Sequence, residues 1–175
     1  MEGTIEIRPE EAADLPAIDE VNRAAFGRPV EAQLVASLRG TSAFDPALSL
    51  VATAGGRVVG HLLLTRVTIE GEGPARPALS LAPMAVLPGL QKRGIGSGLI
   101  RAGLEAGRAR GHRLVVVLGH PAYYPRFGFV PASRYGIRAP FAAPDEAFLV
   151  RELFLGGLEG TAGTVRYPPE VMALV

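Results

Sequence analysis

The chain has 175 residues, enough for one domain, or for two only if both are small. Hydrophobic residues make up 48% and charged residues 20%, which excludes a disordered chain, and 18 Lys+Arg against 17 Asp+Glu leave a net charge of +1, too balanced for a broad nucleic-acid binder. Cysteine is absent, so disulfide scaffolds, thiolate metal sites and cysteine nucleophiles are excluded together.

The N-terminus, Met1-Glu2-Gly3-Thr4, has no basic region followed by an apolar run, so no secretory leader is expected. No apolar stretch approaches the ~18 residues of a membrane span, so no membrane partner is expected. Both readings, with the lack of cysteine, point to the cytoplasm.

Thr4 to Arg8 alternates and predicts a short strand. Pro9-Glu10-Glu11 then opens a helix, with Leu15, Ile18, Val21 and Ala25 at helical spacing up to Gly27. Pro29 starts a second helix, with Leu34, Val35 and Leu38 on one face and Gly40 as its stop. Leu48 to Ala54 and Arg57 to Ile69 flank Gly55-Gly56 and predict a hairpin. Gly71 to Pro77 reads as loop, Ala78 to Leu87 as a buried strand, Ile95 to Arg110 as a helix and Arg113 to Leu118 as an all-apolar strand.

Beyond it, Pro121 to Phe127 predicts a short helix and Gly128 to Val130 a short strand, and Arg134 to Asp145 reads as loop. Ala147 to Leu155 is a strand with the charged pair Arg151-Glu152 near its middle, and Gly163 to Tyr167 closes the order as a last strand. The expected class is α/β: a mixed sheet flanked by helices, in one domain over residues 1–175.

The most informative stretch runs from Leu81 to Ile100, where a strand ends and Gln91-Lys92-Arg93-Gly94-Ile95-Gly96-Ser97-Gly98 leads into a helix. Glycines here let backbone approach a ligand, and a helix start offers unpaired N–H groups and a positive dipole end. Lys92 and Arg93 add charge, so the stretch reads as an anion cradle suited to a phosphate or pyrophosphate; the plainer reading is a tight turn. A P-loop would need Lys-Ser/Thr after its last glycine, and Leu99-Ile100 stand there. A dinucleotide fingerprint would need different glycine spacing and an acid about 20 residues on.

Gln91-x-x-Gly94-x-Gly96 after a Val-x-Pro strand end resembles the acetyl-CoA motif of the GNAT superfamily of N-acetyltransferases. Gly119-His-Pro-Ala-Tyr-Tyr-Pro-Arg-Phe-Gly-Phe129 is similar to the Tyr-x-x-x-Gly-Phe segment after the next strand of that superfamily. "PAYYPRFGF", "AFLVREL" and "GTVRYPPEV" resemble the YhbS-like branch, in order along nearly the whole chain.

The resemblance implies a GNAT-like acyltransferase fold with a mostly antiparallel central sheet, and acetyl-CoA as co-substrate. It implies that the backbone of Met84, Ala85 and Val86 pairs with the pantetheine arm. The N–H groups of Lys92, Arg93, Gly94, Ile95, Gly96 and Ser97 hold the pyrophosphate, with Gln91 at the start of the loop and Gly119 also beside the cofactor. Tyr124 matches the tyrosine that protonates the leaving thiolate, a step a phenol can perform; the plainer reading of Tyr123 and Tyr124 is packing beside Phe127 and Phe129. Acceptor amines are expected along Ala24 to Arg39, Glu70 to Ala78 and Arg134 to Asp145, and members of the superfamily often form homodimers.

The general base is open. Many members place a carboxylate on a central strand, and neither Ala78 to Leu87 nor Arg113 to Leu118 contains one. Glu31, Glu70, Glu72, His120 and water are the alternatives, with loop capping as a second reading of His120. His61 reads as an ordinary strand residue and His112 as a helix-end cation. The three histidines lack metal-ligand spacing, so no metal is expected.

Three functions follow in order of fit. The first is an enzyme moving acetyl from acetyl-CoA directly to a primary amine of a small molecule or peptide. The second is a non-catalytic acyl-CoA-binding or regulatory module. The third, a Rossmann-like nucleotide enzyme, is disfavoured by glycine spacing.

Overall fold

The computed structural model describes residues 3–175; Met1 and Glu2, part of the segment read above for a leader, lie outside them. The elements are β1 (Ile5–Pro9), α1 (Leu15–Phe26), α2 (Val30–Arg39), β2 (Ser49–Ala54), β3 (Arg57–Glu70), β4 (Arg76–Val86), α3 (Ile95–Ala109), β5 (Leu114–Leu118), β6 (Val130–Pro131), β7 (Ile137–Arg138), β8 (Phe148–Glu152), β9 (Gly163–Arg166) and α4 (Pro169–Met172). Among the described residues the strands form one mixed sheet in the order β1-β2-β3-β4-β5-β8-β6, with β9 beside β3 and β7 beside β9. β4–β5 and β7–β9 are parallel, whereas β1–β2, β2–β3, β3–β9, β5–β8 and β6–β8 are antiparallel, as the resemblance implied. By backbone proximity the chain divides into two compact units: the residues up to Leu64 with Ala82–Ala106, and Thr65–Leu81 with Gly107–Val175.

In the first unit the β2–β3 hairpin turns on Gly55 and Gly56, whose φ values of +57° and +80° suit a left-handed two-residue turn. The first helix starts later than its acids suggest. Glu10 still donates its N–H to Ser49 O (2.8 Å), and Glu11 caps a short 3₁₀ turn, Ala12–Asp14, through a reciprocal capping box. Arg8 holds Asp14 by two bonds of 2.7 and 3.0 Å and so keeps its carboxyl below the usual range. The acids thus serve a cap and an ion pair ahead of α1 rather than its first turn. Gly27, with φ +66°, ends α1 as expected. Small residues let α3 lie close on the sheet: a Cβ on Gly98 would sit 3.1 Å from Ile7 Cδ1, and one on Gly103 would sit 3.0 Å from Leu62 Cδ2.

His61 is a strand residue, as expected, and also joins a buried polar network. It is fully buried on β3 and lies between Asn22 of α1 (Nδ2 to Nδ1, 3.1 Å) and Ser49 of β2 (Oγ to Nε2, 2.9 Å). Ser49 donates its hydroxyl to Glu10, which Arg39 of α2 holds at 2.9 and 3.2 Å. The directions fix one tautomer: Asn22 donates to Nδ1, and Nε2–H donates to Ser49. Burial, with the Arg39 charge adding to it, pushes the imidazole down to about 3, so it is neutral near pH 7. The network ties α1, α2, β2 and β3 together.

In the second unit Ile69, Ala78, Leu114, Val116, Phe148, Val150 and Val165 form one apolar core. β5 is its all-apolar strand, and β8 pairs with it from Leu114↔Glu152 to Leu118↔Phe148. The stretch Arg134 to Asp145, read as loop, contains β7 and the end of a 3₁₀ turn, Ala132–Tyr135. β7 has only two residues, too few for a periodicity; it is ordered by pairing with Gly163 and Thr164 of β9.

Candidate functional site

In the first unit, Ala85 and Val86 of β4 are buried and Met84 is half-buried. Leu87 N–H donates to Val59 O (3.0 Å), Pro88–Leu90 make one 3₁₀ turn, and α3 begins at Ile95. Gln91 precedes the turn, and its Nε2 donates back to Val86 O at 3.0 Å, fastening the loop to the strand end. Gly60 lies beneath: a Cβ there would be 3.0 Å from Leu99 Cδ1 and 3.3 Å from Ala85 O, so β3 permits β4 and α3 to come this close. Sequence reasoning missed Gly60, which belongs to no motif.

Lys92 has φ +62° and Gly94 has φ +88°, and Lys92 is the one non-glycine with positive φ among the described residues. Left-handed backbone at a lysine costs about 1–2 kcal/mol. The backbone of residues 92–94 thus curls into a concave turn that runs into α3, whose first N–H groups have no intrahelical acceptor. Lys92, Arg93 and Gly94 are exposed, Gly96 and Ser97 half-buried and Ile95 buried. A Cβ on Gly94 would meet nothing within 4 Å, so this backbone faces open space. The stretch has the makings of an anion site: the N–H groups of a helix start, a lysine and an arginine in the same loop, and no acid between Gln91 and Gly98.

In the second unit, another candidate stretch follows β5. Gly119 donates its N–H to Ala147 O (2.9 Å), and His120 O accepts from Tyr123 N (3.0 Å) and Tyr124 N (3.3 Å). These bonds start a 3₁₀ turn, Tyr124–Phe127, closed by Gly128 with φ +86°. Tyr124 is 8% exposed and packs edge-on against Tyr123 (5.3 Å between ring centres) and Phe129 (5.6 Å). Burial, with Tyr123 adding to it, pushes the Tyr124 phenol up to about 12. It therefore stays protonated across the neutral range. A Cβ on Gly119 would fall 2.3 Å from Tyr124 Cε2, so this glycine makes room for the ring.

The alternatives for a base differ in their surroundings. Arg28 Nε holds Glu31 at 2.7 and 3.1 Å, and Arg166 holds Glu70. Glu72 is exposed in the bend after β3. His120 Nδ1 accepts from Ala122 N at 3.3 Å, in keeping with loop capping. Among the described residues no cluster of His, Asp and Glu is arranged for a metal ion, and no helix is long and apolar enough to cross a membrane.

A strand, a left-handed turn and a helix start, followed by a strand and an aromatic turn, define an acyltransferase-type fold. The family model of the acetyltransferase (GNAT) domain matches residues 6–132, and the chain belongs to the GNAT acetyltransferases. It is 47% identical over 135 residues to the uncharacterized N-acetyltransferase YjhQ of Escherichia coli K12, covering 77% of this chain and 75% of that protein. It is 35% identical over 162 residues to the uncharacterized N-acetyltransferase YhbS of the same strain, covering 92% and 95%. The crystal structure of E. coli YhbS in complex with CoA superposes with a TM-score of 0.88 at 33% identity, over 96% of this chain and 92% of that one. A GNAT acetyltransferase from Brucella melitensis in complex with acetyl-CoA gives 0.77 at 32% identity, over 96% and 98%. The family read from the two motifs holds, as do the branch read from "PAYYPRFGF", "AFLVREL" and "GTVRYPPEV" and the class of enzyme.

Proposed function

We propose that this chain transfers an acetyl group from acetyl-CoA to a primary amine of a small molecule or a peptide, by direct attack and within one domain over residues 1–175. The observation that carries this reading is the turn at Lys92 and Gly94, with φ +62° and +88°, feeding the start of α3. The relatives bound to CoA and acetyl-CoA support acetyl-CoA as the co-substrate.

Met84, Ala85 and Val86 offer backbone to the pantetheine amides, and Gln91 keeps the loop on the strand end. The N–H groups from Lys92 to Ser97 bind the pyrophosphate. An amine attacks the thioester carbonyl, the tetrahedral intermediate collapses to the acetylated amine, and the departing CoA sulfur takes a proton from the Tyr124 phenol. The cationic nitrogen of the tetrahedral intermediate loses its proton to solvent, directly or through His120 or Glu72, and solvent returns a proton to the Tyr124 phenolate. The arginine partners of Glu31 and Glu70 favour structural roles for those two. Balanced charge and absent cysteine support a cytoplasmic setting without nucleic acid or membrane.

Titration calorimetry with acetyl-CoA and CoA tests the cradle. Thiol release with a panel of primary amines tests catalysis, and the lack of cysteine keeps protein thiols out of that assay. Binding without turnover on any amine would leave a non-catalytic acyl-CoA module, and absence of binding would overturn both readings.

A further inference from the structure

We infer that Arg151 is a positioning residue for Tyr124, holding the turn that carries the phenol from its far end. This rests on the reading of Tyr124 as the acid.

Arg151 lies on β8, opposite Val115 of β5. Three apolar residues precede it, and nothing in a sheet core calls for a half-buried guanidinium. Its contacts account for it. Nε donates to Phe127 O at 2.9 Å, and Nη1 donates to the Glu152 carbonyl of its own strand. Phe127 is the last residue of the 3₁₀ turn that begins at Tyr124. Its carbonyl is one of those a short helix leaves without an internal partner. A cation suits that end, where the turn's carbonyls gather negative charge.

Gly128 completes the fit. A Cβ there would lie 2.7 Å from Arg151 Nε and 3.0 Å from Cδ, so the position is open because it is glycine. Its φ of +86° also lets the chain reverse at that point. The turn is therefore fastened twice. His120 O takes the N–H groups of Tyr123 and Tyr124 at one end, and Arg151 takes Phe127 O at the other. Between the two, the Tyr124 ring is caught by Gly119, Tyr123 and Phe129. The planar fork serves two carbonyls at once, which a lysine ammonium on a flexible stem does less well.

The test uses the full chain with Arg151→Met, Arg151→Lys, Tyr124→Phe and the Tyr124→Phe/Arg151→Met double variant. Thiol release from acetyl-CoA is followed with the best amine of the panel, or with water as acceptor. The expected result for Arg151→Met is a fall in kcat of about 10- to 100-fold with KM for acetyl-CoA changed less than about threefold. Arg151→Lys recovers part of the loss, and the double variant is no slower than Tyr124→Phe alone.

Ring-labelled tyrosine NMR gives a readout independent of any acceptor. The Tyr124 signal, assigned by Tyr124→Phe, shifts in Arg151→Met, and its alkaline midpoint falls from about 12 toward 10. If Arg151→Met does not fold, Arg151→Lys carries the same comparisons. An unmoved Tyr124 signal, or losses that multiply in the double variant, overturns the positioning role. Full activity in Tyr124→Phe instead overturns the reading of the acid and is a separate outcome.

Discussion

Gly119 and Tyr124 are matched in shape: a methyl group on the glycine would lie 2.3 Å from Cε2 and 2.6 Å from Cδ2 of the tyrosine ring. The motif that places a tyrosine five residues after a glycine therefore has a steric reason beyond cofactor contact. Gly119→Ala must displace the ring or the chain. Overpacking of this kind costs about 1–3 kcal/mol. The expected outcome is a melting temperature lower by several degrees, thiol release reduced about as far as in Tyr124→Phe, and CoA affinity changed little. Calorimetry beside the rate assay separates the two effects.

The cradle makes a prediction in which stability and affinity move in opposite directions. Lys92→Gly relieves left-handed strain of about 1–2 kcal/mol while removing a cation from the loop. The protein is expected to melt at the same or a higher temperature and to bind CoA about tenfold more weakly. Gly94→Ala does the opposite to the backbone: at φ +88° it introduces strain, although no atom lies within 4 Å of the new methyl group. Both stability and affinity fall, and adding Lys92→Gly restores part of the stability but none of the affinity.

Gln91 is expected to act through the loop. Its side chain donates to Val86 O at 3.0 Å, so Gln91→Ala frees the loop from the end of β4. Loss of one such bond costs about 1 kcal/mol. CoA affinity drops about fivefold to tenfold while the melting temperature changes by only a degree or two, as denaturation scans with and without CoA would read.

His61 sets a pH dependence of stability. Its folded pKa, about 3, lies below the ordinary value of 6.5. The unfolded chain therefore binds the extra proton first as pH falls. The stability contributed by the neutral ring is complete above about pH 6.5 and is lost as pH falls toward 3. Within that window the loss approaches ~1.4 kcal/mol per pH unit. Asp14, held low by Arg8, adds its own loss as pH falls through and below the usual carboxylate range. Between pH 6.5 and 4.5, melts of the wild type should drop steeply and those of His61→Gln, less stable at pH 7, should be flatter. Equal slopes would remove His61 from this role.

Tyr124 makes the opposite prediction at high pH. Its folded value of about 12 lies above the ordinary 10, so its contribution to stability is complete below pH 10 and fades between 10 and 12. The chain has four tyrosines and no tryptophan, so phenolate absorbance follows them directly. The late-titrating fraction should shrink by one tyrosine in Tyr124→Phe, leaving Tyr167, also pushed up to about 12.

The elements legible in the sequence were those carried by long runs or by punctuation. The hairpin at Gly55-Gly56, the close of α1 at Gly27 and the apolar β5 could be read because the physical signal lies in neighbouring residues. The late start of α1 could not, since Glu11 and Asp14 are as suitable for a cap as for a first helical turn. β7 could not be read because Ile137 and Arg138 become a strand only through Gly163 and Thr164.

The sequence by itself determined the family, the glycine-rich turn that opens α3 and the aromatic turn. In each, donors, glycines and rings come from one continuous stretch of backbone, so their order already implies their geometry. Tertiary structure alone decided what the isolated polar residues do. Glu10 meets Arg39 from 29 positions away, and Glu70 meets Arg166 from 96. Arg151 reaches a carbonyl 24 positions earlier. No periodicity relates such pairs; strand register and helix packing bring them together.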